Sequence, residues 1–108
     1  AGYRDARQNF KWMHDMQRMT ELEDFYDYTR EPEKKQKYRE ELTALLEEKI
    51  RMSHNKAQRL QMMFRLAQIE FKEEEYDRAA RLLEEIAREG NTLGVAGQAQ
   101  QMLSRLYR

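Results

Sequence analysis

Two histidines, His14 and His54, are the first residues to test for chemistry in this 108-residue chain. Di-iron bundle sites pair a histidine with a glutamate three residues earlier. Lys11 and Arg51 occupy those positions, so that spacing is absent. With no cysteine in the chain, there is no thiolate to complete a tetrahedral zinc set. No glycine-rich loop is present to cradle a phosphate. The densest acidic group, Glu73, Glu74 and Glu75 with Asp77, lacks the loop glycine and the alternating oxygen ligands of a calcium loop, and reads as a solvated turn. Ser53 and Ser104 have no base at a recognisable spacing. The expectation is a protein that is not an enzyme and holds no metal or cofactor.

Charge narrows the partners. Twenty basic and twenty acidic side chains cancel, and the thirds 1–30, 31–60 and 61–108 carry net charges of −1, +2 and −1. None of them makes the concentrated positive field that a phosphate backbone requires, so nucleic acid is not an expected partner. Lys34, Lys35, Lys37 and Arg39 come closest, but Glu31, Glu33, Glu40 and Glu41 flank them in the manner of a solvated, ion-paired helix face. No stretch nears the ~20 consecutive apolar residues of a membrane span, so insertion by this segment is not expected. The chain begins at Ala1 without a methionine, as it would after removal of a signal peptide or an upstream domain.

Apolar side chains with recognition potential gather early. Phe10, Trp12, Met13, Met16 and Met19 combine aromatic surface with the adaptable thioether of methionine. The three methionines, three residues apart, fit the core side of a helix, with a recognition face as the alternative. Trp12 lies off that stripe and is the candidate exposed anchor for a partner. Tyr26 and Tyr28 offer the same chemistry or cap the end of the helix.

The elements that must position these residues are helical. Glu, Lys, Arg, Gln, Leu, Met and Ala dominate, with four glycines and one proline, and no sheet is expected. A mean hydropathy of -1.10 suits a thin helical stack better than a globule. The spacing predicts a first helix from about Tyr3 to Tyr28 through Tyr3, Ala6, Phe10, Met13, Met16 or Gln17, Leu22, Phe25 and Tyr26. Thr29-Arg30-Glu31-Pro32 ends it, and Pro32 suits the first turn of the next helix. Tyr38, Leu42, Leu45, Leu46, Lys49 and Ile50 mark one face of that helix down to about Met52. Ser53-His54-Asn55 is either a cap or part of one longer helix, since no glycine or proline enforces a break. A third pattern runs through Ala57, Leu60, Met63, Phe64, Leu66, Ala67, Ile69 and Phe71. A fourth runs through Tyr76, Ala79, Leu83 and Ile86 to Gly90, placed as a left-handed terminator with Asn91-Thr92 as the next cap. The fifth runs through Val95, Ala96, Ala99, Met102, Leu103 and Leu106. The architecture is all-α, with about five helices.

Leu66-Ala67, Phe71, Tyr76, Ala79 and Leu83 follow the order of large, small and aromatic positions in tetratricopeptide repeats, which this stretch resembles over about residues 57–107. Phe71 to Leu83, continuing to Gln100, is also similar to repeats in bacterial envelope proteins of the Tol-Pal and outer-membrane assembly systems. The resemblance implies a short solenoid of stacked antiparallel hairpins and a role in holding other proteins, and it favours a periplasmic location, with the cytoplasm as the alternative. Three departures stand out. The hairpin turn has no glycine, Gly90-Asn91 replaces the usual proline, and Leu66 to Leu103 spans 37 residues instead of the typical ~34.

A hairpin of this kind cannot bury its apolar face alone, so residues 1–52 are expected to serve as a helical arm or capping hairpin beside a repeat region of 53–108. With Leu66 as anchor, the inner-face positions are Gln61, Phe64, Gln68 and Phe71, and on the last helix Gln98, Gln101 and Arg105. Amides, a guanidinium and aromatics suit the alternating donors and acceptors of extended peptide. The expected function is a noncatalytic adaptor or scaffold holding a protein or peptide there, with Trp12 as a further contact. The alternative is a structural subunit that oligomerises through its N-terminal helix.

Overall fold

The computed structural model describes the backbone of residues 2–90 and 94–107 and the side chains of residues 7, 10–90 and 94–107. Among these the chain is all-α and contains no strand. The helices are α1 (Gly2–Tyr28), α2 (Pro32–Met52), α3 (Lys56–Lys72), α4 (Tyr76–Glu89) and α5 (Gly94–Leu106). Two compact units divide it, residues 1–45 and 46–108, so the boundary falls inside α2, upstream of the 52/53 break that the sequence punctuation suggests.

In the first unit α1 and α2 are joined by Thr29-Arg30-Glu31. The Glu31 carbonyl accepts from Lys35 N–H at 2.9 Å, which makes Glu31 the capping position and Pro32 the first helical residue. The missing N–H of proline costs nothing there, and Glu33 sits in the first turn, near the positive end of the helix dipole. The two helices are antiparallel, because contacts that advance along α1 retreat along α2. The Arg18 guanidinium donates to both oxygens of Glu41 at 3.0 and 3.2 Å. The rings of Phe25 and Tyr38 lie 5.2 Å apart, and Lys35 Nζ stands 4.9 Å over the Tyr26 ring. Met19, Leu22, Tyr26 and Leu42 are buried. Of the apolar stripe expected along the whole of α1, Leu22 and Tyr26 are buried, while Phe10 is 77 % exposed, Met13 68 % and Phe25 45 %.

Between α2 and α3 the helix breaks. Asn55 adopts an extended conformation and its side chain accepts from Gln58 N–H at 3.0 Å, a side-chain N-cap, while Ser53 Oγ donates to the Asn55 carbonyl. That local competition for backbone groups ends α2 without a glycine or proline.

In the second unit α3, α4 and α5 pack on one core of Leu60, Met63, Ala67, Leu83, Ile86 and Ala99, with Ile50 from the end of α2 against it. The small residues Ala67, Ala79, Ala96 and Ala99 are buried where helices approach closely. The turn from α3 to α4 is a Schellman closure. Glu75 N–H donates to the Glu70 carbonyl at 2.8 Å, Glu74 N–H to that of Phe71 at 3.0 Å, and Glu74 takes φ 61°, the left-handed position glycine usually fills. At the other end of this hairpin Arg59 of α3 donates to Glu89 of α4 at 3.0 Å.

Gly90 is not the left-handed terminator the sequence suggested. Its φ is −107° and it is buried. A Cβ there would lie 2.9 Å from Leu60 Cδ1 and 3.0 Å from the Ile86 carbonyl oxygen. Glycine is needed for close approach, with no demand on handedness. The proposed Asn91-Thr92 cap lies outside the described residues. Tyr76, expected on the apolar period of the fourth helix, is 46 % exposed and meets Phe71 edge-on at 5.5 Å.

Candidate partner-binding face

Helix α3 is covered on most of its circumference. Leu60, Met63 and Ala67 face the shared core, and Met62, Leu66, Ile69 and Glu70 are buried as well. What remains open is a narrow strip, on which Gln61 and Gln68 are exposed. These two are two helical turns apart and so lie one above the other. Phe64 and Phe71, at the edge of that strip, are half-buried. Phe64 packs on the core and Phe71 against the Tyr76 ring. The two aromatics are thus largely committed to holding the hairpin, and the amides form the accessible part.

On α5 the spacing repeats. Gln98, Gln101 and Arg105 are all exposed, while Ala96 and Ala99 are buried on the opposite side. Gln61 and Gln98 are separated by 37 residues, as are Gln68 and Arg105. Helices α3 and α5 touch. The end of α5 is tied back to α4 by the Tyr107 hydroxyl, which donates to the Glu84 carboxylate and is held above its usual pKa mainly by that bond. Arg105 therefore projects from a helix whose last turn is anchored.

Trp12 is half-buried on α1, in the other unit, and is less open than Phe10 and Met13. Phe10, which lies on the apolar period of α1, is exposed instead, as are Phe25 and, at the helix end, Tyr28. Two buried charges also stand out, Lys49 at 4 % exposed and Glu70 at 7 %. Lys49 falls on the apolar face of α2, and Glu70, three residues after Ala67 and four after Leu66, on that of α3, so the helical period carried both signals.

Among the described residues no cluster of three or more His, Asp or Glu is placed to hold a metal ion. None of the described helices is long and apolar enough to cross a membrane. No protein-family model, curated protein or solved structure matches this chain.

Proposed function

We propose that the chain is a noncatalytic protein–protein interaction module of tetratricopeptide-like design, which holds an extended segment of a partner along the exposed strips of α3 and α5. The observation that carries this reading is the repetition. A helix otherwise buried on most of its surface keeps Gln61 and Gln68 open, and the contacting helix keeps Gln98, Gln101 and Arg105 open, Gln98 and Arg105 each 37 residues after one of those glutamines. Each amide supplies a donor and an acceptor to a peptide backbone, and Arg105 adds a fork for a carboxylate.

The test starts by finding the partner through crosslinking in the source cell and mass spectrometry. Gln68→Glu combined with Arg105→Glu then changes two exposed side chains, so helicity and melting temperature are expected to stay close to the parent. Capture of the partner is expected to fall, through lost hydrogen bonds and a reversed charge. Undiminished capture by the folded double variant would move the binding surface off these strips.

A further inference from the structure

No glycine or proline occurs between Glu33 and Glu89, yet α2 stops at Met52 and α3 starts at Lys56. Two side chains hold that break: Asn55 caps Gln58 N–H, and Ser53 Oγ donates to the Asn55 carbonyl. The backbone of Asn55, at φ −94° and ψ 119°, is ordinary extended chain. Helical phase passes through the break unchanged. Leu42 and Leu60, Leu46 and Phe64, and Lys49 and Ala67 are each 18 residues apart, about five whole turns. In one continuous helix the buried face of α2 would therefore run straight into the core face of α3. A break that shifts no phase leaves both arrangements open to the same sequence.

What the bent arrangement adds is the seat of Ile50, which packs from the end of α2 on the core of α3, α4 and α5. In a continuous helix Ile50 would stand ~15 Å from Leu60 along the axis, and the seat would empty. The seat fits one segment, the end of α2, and a second copy carries the same segment. We infer that residues 53–55 are a hinge on which α2 and α3 join into one helix, and that two such straightened chains exchange ends, Ile50 of each seated on the core of the other. Joining the helices gives hydrogen-bond partners to the backbone groups left at the two ends, which offsets the lost cap. The exchange is isologous, so it closes at a dimer.

Sedimentation of the full chain, refolded from denaturant at micromolar and at millimolar concentration, tests this. The parent is expected to give a dimer fraction only from the concentrated sample. Ser53→Ala with Asn55→Ala removes both side chains that hold the break and is expected to raise that fraction several-fold. Lys56→Pro acts the other way. Proline suits the first helical position and holds the residue before it extended, as Asn55 already is, so this variant is expected to keep the parent's melting temperature and lose the dimer. Spin labels on Glu47→Cys and Gln61→Cys, both exposed sites in a chain with no other cysteine, read the bend. With labelled chains diluted in unlabelled ones, the dimer is expected to show the ~21 Å backbone span of one continuous helix between these sites. The monomer, in which Ile50 folds back on the core, is expected to show a shorter one. No dimer from either the parent or the double alanine variant overturns the exchange. A dimer fraction that Lys56→Pro leaves unchanged, or a distance in the dimer equal to that in the monomer, overturns the hinge.

Discussion

Glu74 and Gly90 exchange the roles their residue types suggest. Glu74 holds the left-handed conformation at φ 61° without the freedom of glycine, while Gly90 sits at an ordinary φ and is glycine because Leu60 and the Ile86 carbonyl leave no room for a methyl. Substitution at the two sites therefore acts in opposite directions. Glu74→Gly relieves a left-handed strain worth roughly 1–2 kcal/mol, offset in part by the greater entropy of glycine in the unfolded chain, and is expected to raise stability by about 0.5–1 kcal/mol. Gly90→Ala forces a contact in a packed core and is expected to lower it by about 1–3 kcal/mol. Chemical denaturation of both variants checks the pair. Equal or reversed signs would show that the turn geometry is wrong.

At the scale of elements, the break between α2 and α3 and the tether at the end of α5 rest on single side chains. The Asn55 cap satisfies Gln58 N–H, and Asn55→Ala is expected to cost about 1 kcal/mol in denaturant unfolding. A cost near zero would mean that the break is set elsewhere. The Tyr107 tether is sensitive to pH. Its bond to Glu84 needs the protonated phenol, and the folded pKa lies above the ordinary value of 10.0. A group raised on folding stabilises fully below its unfolded pKa and loses that contribution as pH rises through the folded one. The last turn of α5 is therefore expected to stay anchored at neutral pH and to loosen in strongly alkaline solution, where Tyr107 ionises after an unperturbed tyrosine. Tyrosine absorbance titrated in the parent and in Tyr107→Phe reads this directly, as the loss of a late-titrating group.

At the scale of the whole molecule, the second unit hangs on one small core, in which Leu83 and Ile86 of α4 are fully buried. Leu83→Ala is expected to cost about 2–5 kcal/mol, a large part of the stability of a domain this size, and to lower the melting temperature sharply. A melt unchanged from the parent would mean that α4 is not packed as described. Tyr76→Ala, by contrast, removes a half-exposed edge-on contact of the kind worth about 0.5–1.5 kcal/mol and should cost well under the core truncation.

Helix content, the apolar periods of α2 to α5 and the start of α2 at Pro32 were determined by the sequence itself, because 3.6-residue spacing, proline geometry and composition act locally. The Gln61, Gln68, Gln98, Gln101 and Arg105 positions, read as solvent-facing from register alone, are exposed for the same reason. Tertiary structure decided what local spacing leaves open. α1 carries two stripes at the same period, so only packing could choose Met19, Leu22 and Tyr26 for the interior and leave Phe10 and Met13 outside. Phe64 and Phe71 became half-buried supports because the core and the Tyr76 ring lie beside them. The requirement for glycine at position 90 arises only when Leu60, thirty residues earlier, is brought to 2.9 Å from where a Cβ would stand. Period and propensity are properties of neighbours along the chain; burial and steric exclusion are set by residues that meet only once it has folded.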